Sequence, residues 1–143
     1  ADRDLVVPRT SDGDDLLEIT GRGRIILLPF AGLIQNYIEA YWIILRGTSY
    51  LKKRPRSERD VLKQSHKLGI KMFKKGEISR AEALSQANYR GALRYLRDMG
   101  VIESVSSGNE RERKKEGDML ALPEDRSKIE TQRQRLFKFV ANR

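Results

Sequence analysis

A chain of 143 residues with 29 Lys plus Arg against 20 Asp plus Glu, a formal net charge of +9, is a basic protein of one domain's length. Having no cysteine and one histidine, it is excluded from disulfide frameworks, thiolate metal sites, cysteine nucleophiles and multi-histidine centres, and neither metal nor cofactor is expected. At 38% hydrophobic it is polar for a globular chain, yet a domain of this size buries about two-thirds of the surface its unfolded chain exposes, so a core is expected.

Residues 1–24 carry four basic and six acidic side chains, which leaves 25 basic and 14 acidic, net +11, for residues 25–143. The acidic start has no apolar run and therefore no secretory signal. Residues 1–24 read as a leader or linker from an upstream domain, loose through Asp12, Gly13, Asp14 and Asp15, and residues 25–143 as the folded domain. Leu16–Ile19 and Arg24–Leu28 flank Gly21-Arg22-Gly23 as a candidate hairpin. A helix is predicted from about Leu28 to Arg46, because Phe30, Leu33, Ile34, Tyr37, Ile38, Tyr41, Trp42 and Leu45 recur in steps of three and four. The apolar stretch from Ile25 to Leu45 is broken by Pro29, Gln35, Asn36 and Glu39, so it falls short of the roughly 20 apolar residues of a membrane span and predicts a buried or surface-lying helix.

Gly47 ends that helix, and Lys52 to Arg56 form a basic linker around Pro55. Ser57 caps a second helix to about Lys75, with Val61, Leu62, Leu68, Met72 and Phe73 on one face and Gly76 beyond its end. Ser79 and Glu82 have the spacing of a capping box that opens a short third helix. Ser85 caps a fourth, from Gln86 to Met99, with Ala92, Leu93 and Leu96 inward and Gly100 as its stop. Strands follow at Val101–Val105 and Met119–Leu122, separated by a solvated tip that contains Ser106, Ser107, Gly108, Asn109 and the mixed-charge run Glu110–Glu116. Pro123 and Ser127, with Glu130 three residues after the serine, open a last helix through Leu136, Phe137 and Val140. The fold class is mostly α with a small β hairpin, a helical bundle containing a winged-helix-like module.

In a nucleic-acid-binding version of that module the fourth helix enters the major groove, and Gln86, Asn88, Arg90, Arg94 and Arg97 are the candidate contacts. The net charge suits that reading. Tyr95, Leu96 and Met99 leave the same helix little room for a polar reading face, which weighs against it. His66, between Lys63, Gln64 and Lys67, reads as a solvated or locally bonded histidine rather than a catalytic base. Gly21-Arg22-Gly23 lacks the third glycine of a dinucleotide loop. Glu39 lies in the most apolar helix and is either an exposed position on its polar side or a buried carboxylate paired with an arginine. Tyr37, Tyr41 and Trp42, with Arg22, Arg24 and Arg46 toward the helix ends, suit either the rim of an ordinary core or an interfacial membrane anchor.

Gly21-Arg22-Gly23-Arg24, Leu28-Pro29-Phe30 and Asn36 to Tyr41, followed by Gly76 to Ser85, Ala92 to Ile102 and a final helix near Gln134 to Val140, together resemble the C-terminal region of the glycerol-3-phosphate acyltransferases. The likeness covers about residues 16–141. It implies a part of an enzyme that moves a fatty acyl group from acyl-CoA or acyl carrier protein to the 1-hydroxyl of glycerol 3-phosphate, the first step of phospholipid synthesis, at the cytoplasmic face of a membrane. The family's catalytic box is a histidine with an aspartate five positions later, in an upstream domain. Here His66 is followed at that spacing by Lys71, so no catalytic residue carries over and the segment is expected to be inactive alone. What the resemblance implies instead is packing on the upstream acyltransferase domain, with Phe30, Tyr37, Glu39, Tyr41 and Trp42 as the interdomain or membrane contact and an anionic membrane surface or acyl carrier protein as further partners. Nucleic acid is a partner only in the rival reading of a stand-alone winged-helix binder.

Overall fold

The computed structural model describes residues 5–11, 14–105 and 109–141. The chain forms two compact units, residues 1–35 and 36–143.

In the first unit β1 (Val6–Ser11) pairs antiparallel with β2 (Asp14–Ile19), Val6 opposite Ile19 and Arg9 opposite Leu16. The Arg9 guanidinium reaches the Glu18 carboxylate at 2.7 Å. Residue 20 then turns the chain into α1 (Gly21–Gly47). Its N–H donates to the Leu5 carbonyl at 3.1 Å, and the Thr20 hydroxyl accepts the Gly23 N–H at 2.9 Å, the geometry of a helix cap. The expected hairpin about Gly21-Arg22-Gly23 is therefore displaced: the hairpin lies upstream, in the segment read as a loose leader, and the glycines make the first helical turn. Gly23 is needed there because a Cβ on it would run into the Leu5 carbonyl. Asp12 and Gly13, read as part of the leader, lie outside the described residues.

The helix predicted from Leu28 starts seven residues earlier, and Pro29 sits inside it rather than at its opening. The Thr20 cap moves the start upstream, since a capped first turn outweighs the one backbone hydrogen bond a proline removes.

In the second unit the C-terminal half of α1 leads through a 3-10 turn, Thr48–Leu51, to β3 (Arg56–Ser57) and α2 (Glu58–Lys74). Ser57 caps α2 as predicted, accepting the Asp60 N–H at 3.2 Å. A second 3-10 turn, Ala81–Ala83, precedes α3 (Gln86–Asp98), which Ser85 caps through the Asn88 N–H. Gly76 and Gly100 close α2 and α3 with φ of 74° and 70°, where other residues are strained. β4 (Glu103–Val105) and β5 (Met119–Ala121) are antiparallel, and β3 adds to the free edge of β5, giving the order β3-β5-β4. Glu110–Glu116, read as a solvated turn, is instead α4, capped by the Asn109 side chain; Ser106, Ser107 and Gly108 lie outside the described residues. α5 (Ser127–Ala141) closes the described chain. Its opening differs in one detail: Asp125, not Ser127, does the capping, accepting the Ser127 N–H at 2.9 Å, and that bond holds the Asp125 carboxyl below its ordinary range.

The core of this unit joins Ala40, Ile43 and Ile44 of α1, Val61 and Met72 of α2, and Tyr89, Leu93 and Leu96 of α3, closed by Val101, Ile102 and Leu120 at the sheet. Ala92, Leu93 and Leu96 face inward, as their spacing predicts. The close approach of α2 to its neighbours rests on Gly69, where a Cβ would stand 2.8 Å from Leu84 Cδ2 and 2.9 Å from the Tyr89 hydroxyl. The protein is thus mostly α with small antiparallel sheets.

Candidate functional site

Five residues of α1 were expected at a contact, and the structure sorts them into three environments. Phe30, in the first unit, is 57% exposed, in the company of Ile25, Ile26, Leu28, Leu33 and Ile34, all exposed. Ile26, Phe30, Leu33 and Ile34 follow in steps of three and four, so they line one stripe of the helix. Contiguous exposed apolar surface of this kind marks an interaction site more often than a solvated face. Tyr37, in the second unit, is also exposed at 45%. Tyr41 and Trp42 belong to the interior: the Tyr41 ring stacks on Tyr95 with centroids 5.4 Å apart and planes 14° from parallel, and Trp42, 5% exposed, meets Phe137 at 5.9 Å with the Arg46 guanidinium 6.0 Å over its ring.

Glu39 is fully buried. The carboxylate accepts the Ser79 N–H and the Ser79 hydroxyl, both at 2.8 Å, and the Arg80 N–H at 3.0 Å. One helical turn before it, Asn36 accepts from Arg80 Nε at 2.6 Å. Of the two readings left open for Glu39, the buried one holds, with backbone and hydroxyl donors on its carboxylate. A carboxylate bonded in this way anchors the segment between α2 and α3. The same contacts explain why Ser79 and Glu82 do not form the expected capping box: the Ser79 hydroxyl and N–H are both turned to Glu39, so the residues beyond make only the 3-10 turn, which begins at Arg80 without a side-chain cap.

Among the candidate nucleic-acid contacts, Arg97 is held within the fold. Its guanidinium lies 3.1 Å from the Glu58 carboxylate and 3.2 Å from Asp118, while Arg113 binds the other oxygen of Asp118 at 2.7 Å. This network ties the start of α2, the end of α3 and the approach to β5. Asn88 gives its N–H to the Ser85 cap. Gln86, Arg90 and Arg94 are exposed. His66 is half-buried, with its ring edge-on to Tyr89 at 5.9 Å and its Nδ1 without a hydrogen-bond partner. No three His, Asp or Glu side chains among the described residues are grouped to hold a metal. No helix among them is long and apolar enough to cross a membrane.

A family model described as the glycerol-3-phosphate acyltransferase C-terminal region matches residues 3–105. The chain belongs to that family. The matched stretch runs from the hairpin through β4 and includes the apolar stripe, the Glu39 anchor and α3. α4, β5 and α5 lie beyond it, so the likeness noted near Gln134 to Val140 falls outside the match. No curated protein and no solved structure matches the chain.

The network about Arg97 was not legible in the sequence. Arg97, Glu58 and Asp118 are far apart along the chain, and each looks like an ordinary surface charge until β5 pairs with β3 and β4.

Proposed function

We propose that this chain is the non-catalytic C-terminal domain of a glycerol-3-phosphate 1-O-acyltransferase and that it packs on the enzyme's upstream acyltransferase domain. The observation that carries the docking role is the exposed apolar stripe Ile26, Phe30, Leu33 and Ile34 in a chain whose family places a catalytic domain ahead of it. Support for a non-catalytic role comes from the residues present. The acyl transfer needs a base beside the acceptor hydroxyl, and the one histidine, His66, is packed against Tyr89 with lysines beside it rather than an orienting carboxylate. The reaction served is transfer of an acyl group from acyl-CoA or acyl carrier protein to the 1-hydroxyl of glycerol 3-phosphate, the opening step of phospholipid synthesis, with the domain at the cytoplasmic face of the membrane. The order of elements from α2 to β5, with its three-stranded sheet, supports the winged-helix-like reading of this module. Its charge of +9 favours an acidic carrier protein or anionic headgroups nearby. The nucleic-acid reading loses Arg97 to the ion-pair network, and nothing in the geometry of α3 restores it.

The test is an acyl-transfer assay with acyl-CoA and glycerol 3-phosphate on the chain alone and joined to its upstream acyltransferase domain. The reading predicts no turnover from the chain alone and turnover from the joined protein. Turnover by the isolated chain contradicts it.

A further inference from the structure

A cavity of about 620 Å³ opens between α2, the start of α3 and the end of α4, within the second unit. Besides Arg59, its walls carry four cations drawn from three helices: Lys63 and Lys67 of α2, Arg90 of α3 and Lys115 of α4. None of the four has an ion-pair partner among the described residues. The acidic side chains in the same walls are already paired, Glu116 with Arg59 of the same wall at 3.1 Å and Glu58 with Arg97 at 3.1 Å. Lys63 and Lys67 stand one turn apart on one exposed helix face, a mildly unfavourable like-charge pair that an anion between them relieves. Gln86, the first residue of α3, brings the positive end of a 13-residue helix to the rim. Leu62 and the His66 ring, which Tyr89 holds in place, supply a flat, less polar wall.

We propose that this cavity binds a small polyphosphorylated anion, a diphosphate or triphosphate that carries an organic group. Four unpaired cations on the walls of one cavity suit several negative charges at close spacing, more than one carboxylate or one phosphate provides. The volume lies within the range of small-molecule sites and exceeds what a bare diphosphate fills, and Leu62 with the His66 ring provides the surface for the remainder. A duplex nucleic acid fits less well, because these cations line a hollow rather than a ridge and Arg97 is withdrawn from α3's outer face. The proposal rests on the cavity and its charges, so it stands or falls independently of the acyltransferase reading.

Calorimetric titration of the purified protein with tripolyphosphate, adenosine triphosphate and, as a singly phosphorylated control, inorganic phosphate tests it at constant ionic strength. Saturable binding of both polyphosphates is expected, tighter for the nucleotide, with inorganic phosphate at least about tenfold weaker. Lys63→Glu with Lys67→Glu should weaken nucleotide binding at least about tenfold, as should Arg90→Glu, while Lys74→Glu with Lys75→Glu, exposed at the far end of the same helical segment, leaves it unchanged. Thermal unfolding of each variant verifies that the fold is retained. Loss of binding in the Lys63, Lys67 and Arg90 variants alone supports the site. The proposal is overturned by the absence of saturable binding, by equal weakening in the Lys74 and Lys75 control, or by a DNA duplex that binds through the same residues more tightly than the nucleotide.

Discussion

Glu39 shows how one residue can hold a segment in place without doing chemistry. With three donors converging on a fully buried carboxylate, its removal leaves two backbone N–H groups and a hydroxyl unsatisfied. Glu39→Ala is therefore expected to lower stability by about 3 kcal/mol, read from the urea midpoint. Glu39→Gln should fall between, because an amide turns an N–H toward donors it cannot accept from. Tyr89 is the opposite case. Its hydroxyl is buried without a partner, and desolvation pushes its pKa from 10.0 up to about 12. Between those two values the unfolded chain has lost the proton that the folded chain keeps. The stability Tyr89 contributes is thus intact below about pH 10 and falls as pH rises toward 12, by about 2 to 3 kcal/mol in all. Tyr89→Phe should be at least as stable as the parent at pH 8 and lose less stability between pH 10 and 12, when the two proteins are unfolded in urea at each pH; parallel curves would show that burial does not shift the hydroxyl's ionisation.

At the scale of elements, α2, α3 and α5 were legible, whereas α4, the start of α1 and the pairing of β3 were not. Ser57 and Ser85 mark the starts of α2 and α3 because a serine hydroxyl followed by an apolar periodicity is a local signal, complete within one turn. The start of α1 escaped for the same reason in reverse: Gly21 and Gly23 resemble a turn, and only the carbonyl of Leu5, brought close by β1, shows why a glycine is needed. β3 is two residues long, and nothing in Arg56 or Ser57 announces a strand until β5 lies beside them. In the contact region, the apolar period of α1 was visible, but which of its aromatics face inward depends on partners distant in sequence, Tyr95 for Tyr41 and Phe137 for Trp42. The Arg97 network belongs to this scale too. Arg97→Ala should cost about 1 to 2 kcal/mol, less at high salt, since it unpairs Glu58 and leaves Asp118 with Arg113 alone, whereas Arg94→Ala on the exposed side should change stability by no more than about 0.5 kcal/mol. Equal effects in thermal melts would mean that the network does not hold the sheet to the helices.

For the whole molecule, two properties belong to no single element: an exposed apolar stripe in the first unit and a basic surface spread through a chain with net charge +9. Family membership explains the first if the stripe packs on a catalytic domain; the four side chains are about half exposed, so burying what remains contributes about 1 kcal/mol each before the entropy of association. In the proposed reading the second favours acidic or anionic partners without fixing their identity. The most direct measurement is binding between this chain and its upstream acyltransferase domain, for the native sequence and for Phe30→Asp with Leu33→Asp. The account predicts a one-to-one complex that the double variant weakens at least about tenfold while its own melting temperature holds. An unaltered complex in the variant, or none with the native chain, would contradict it.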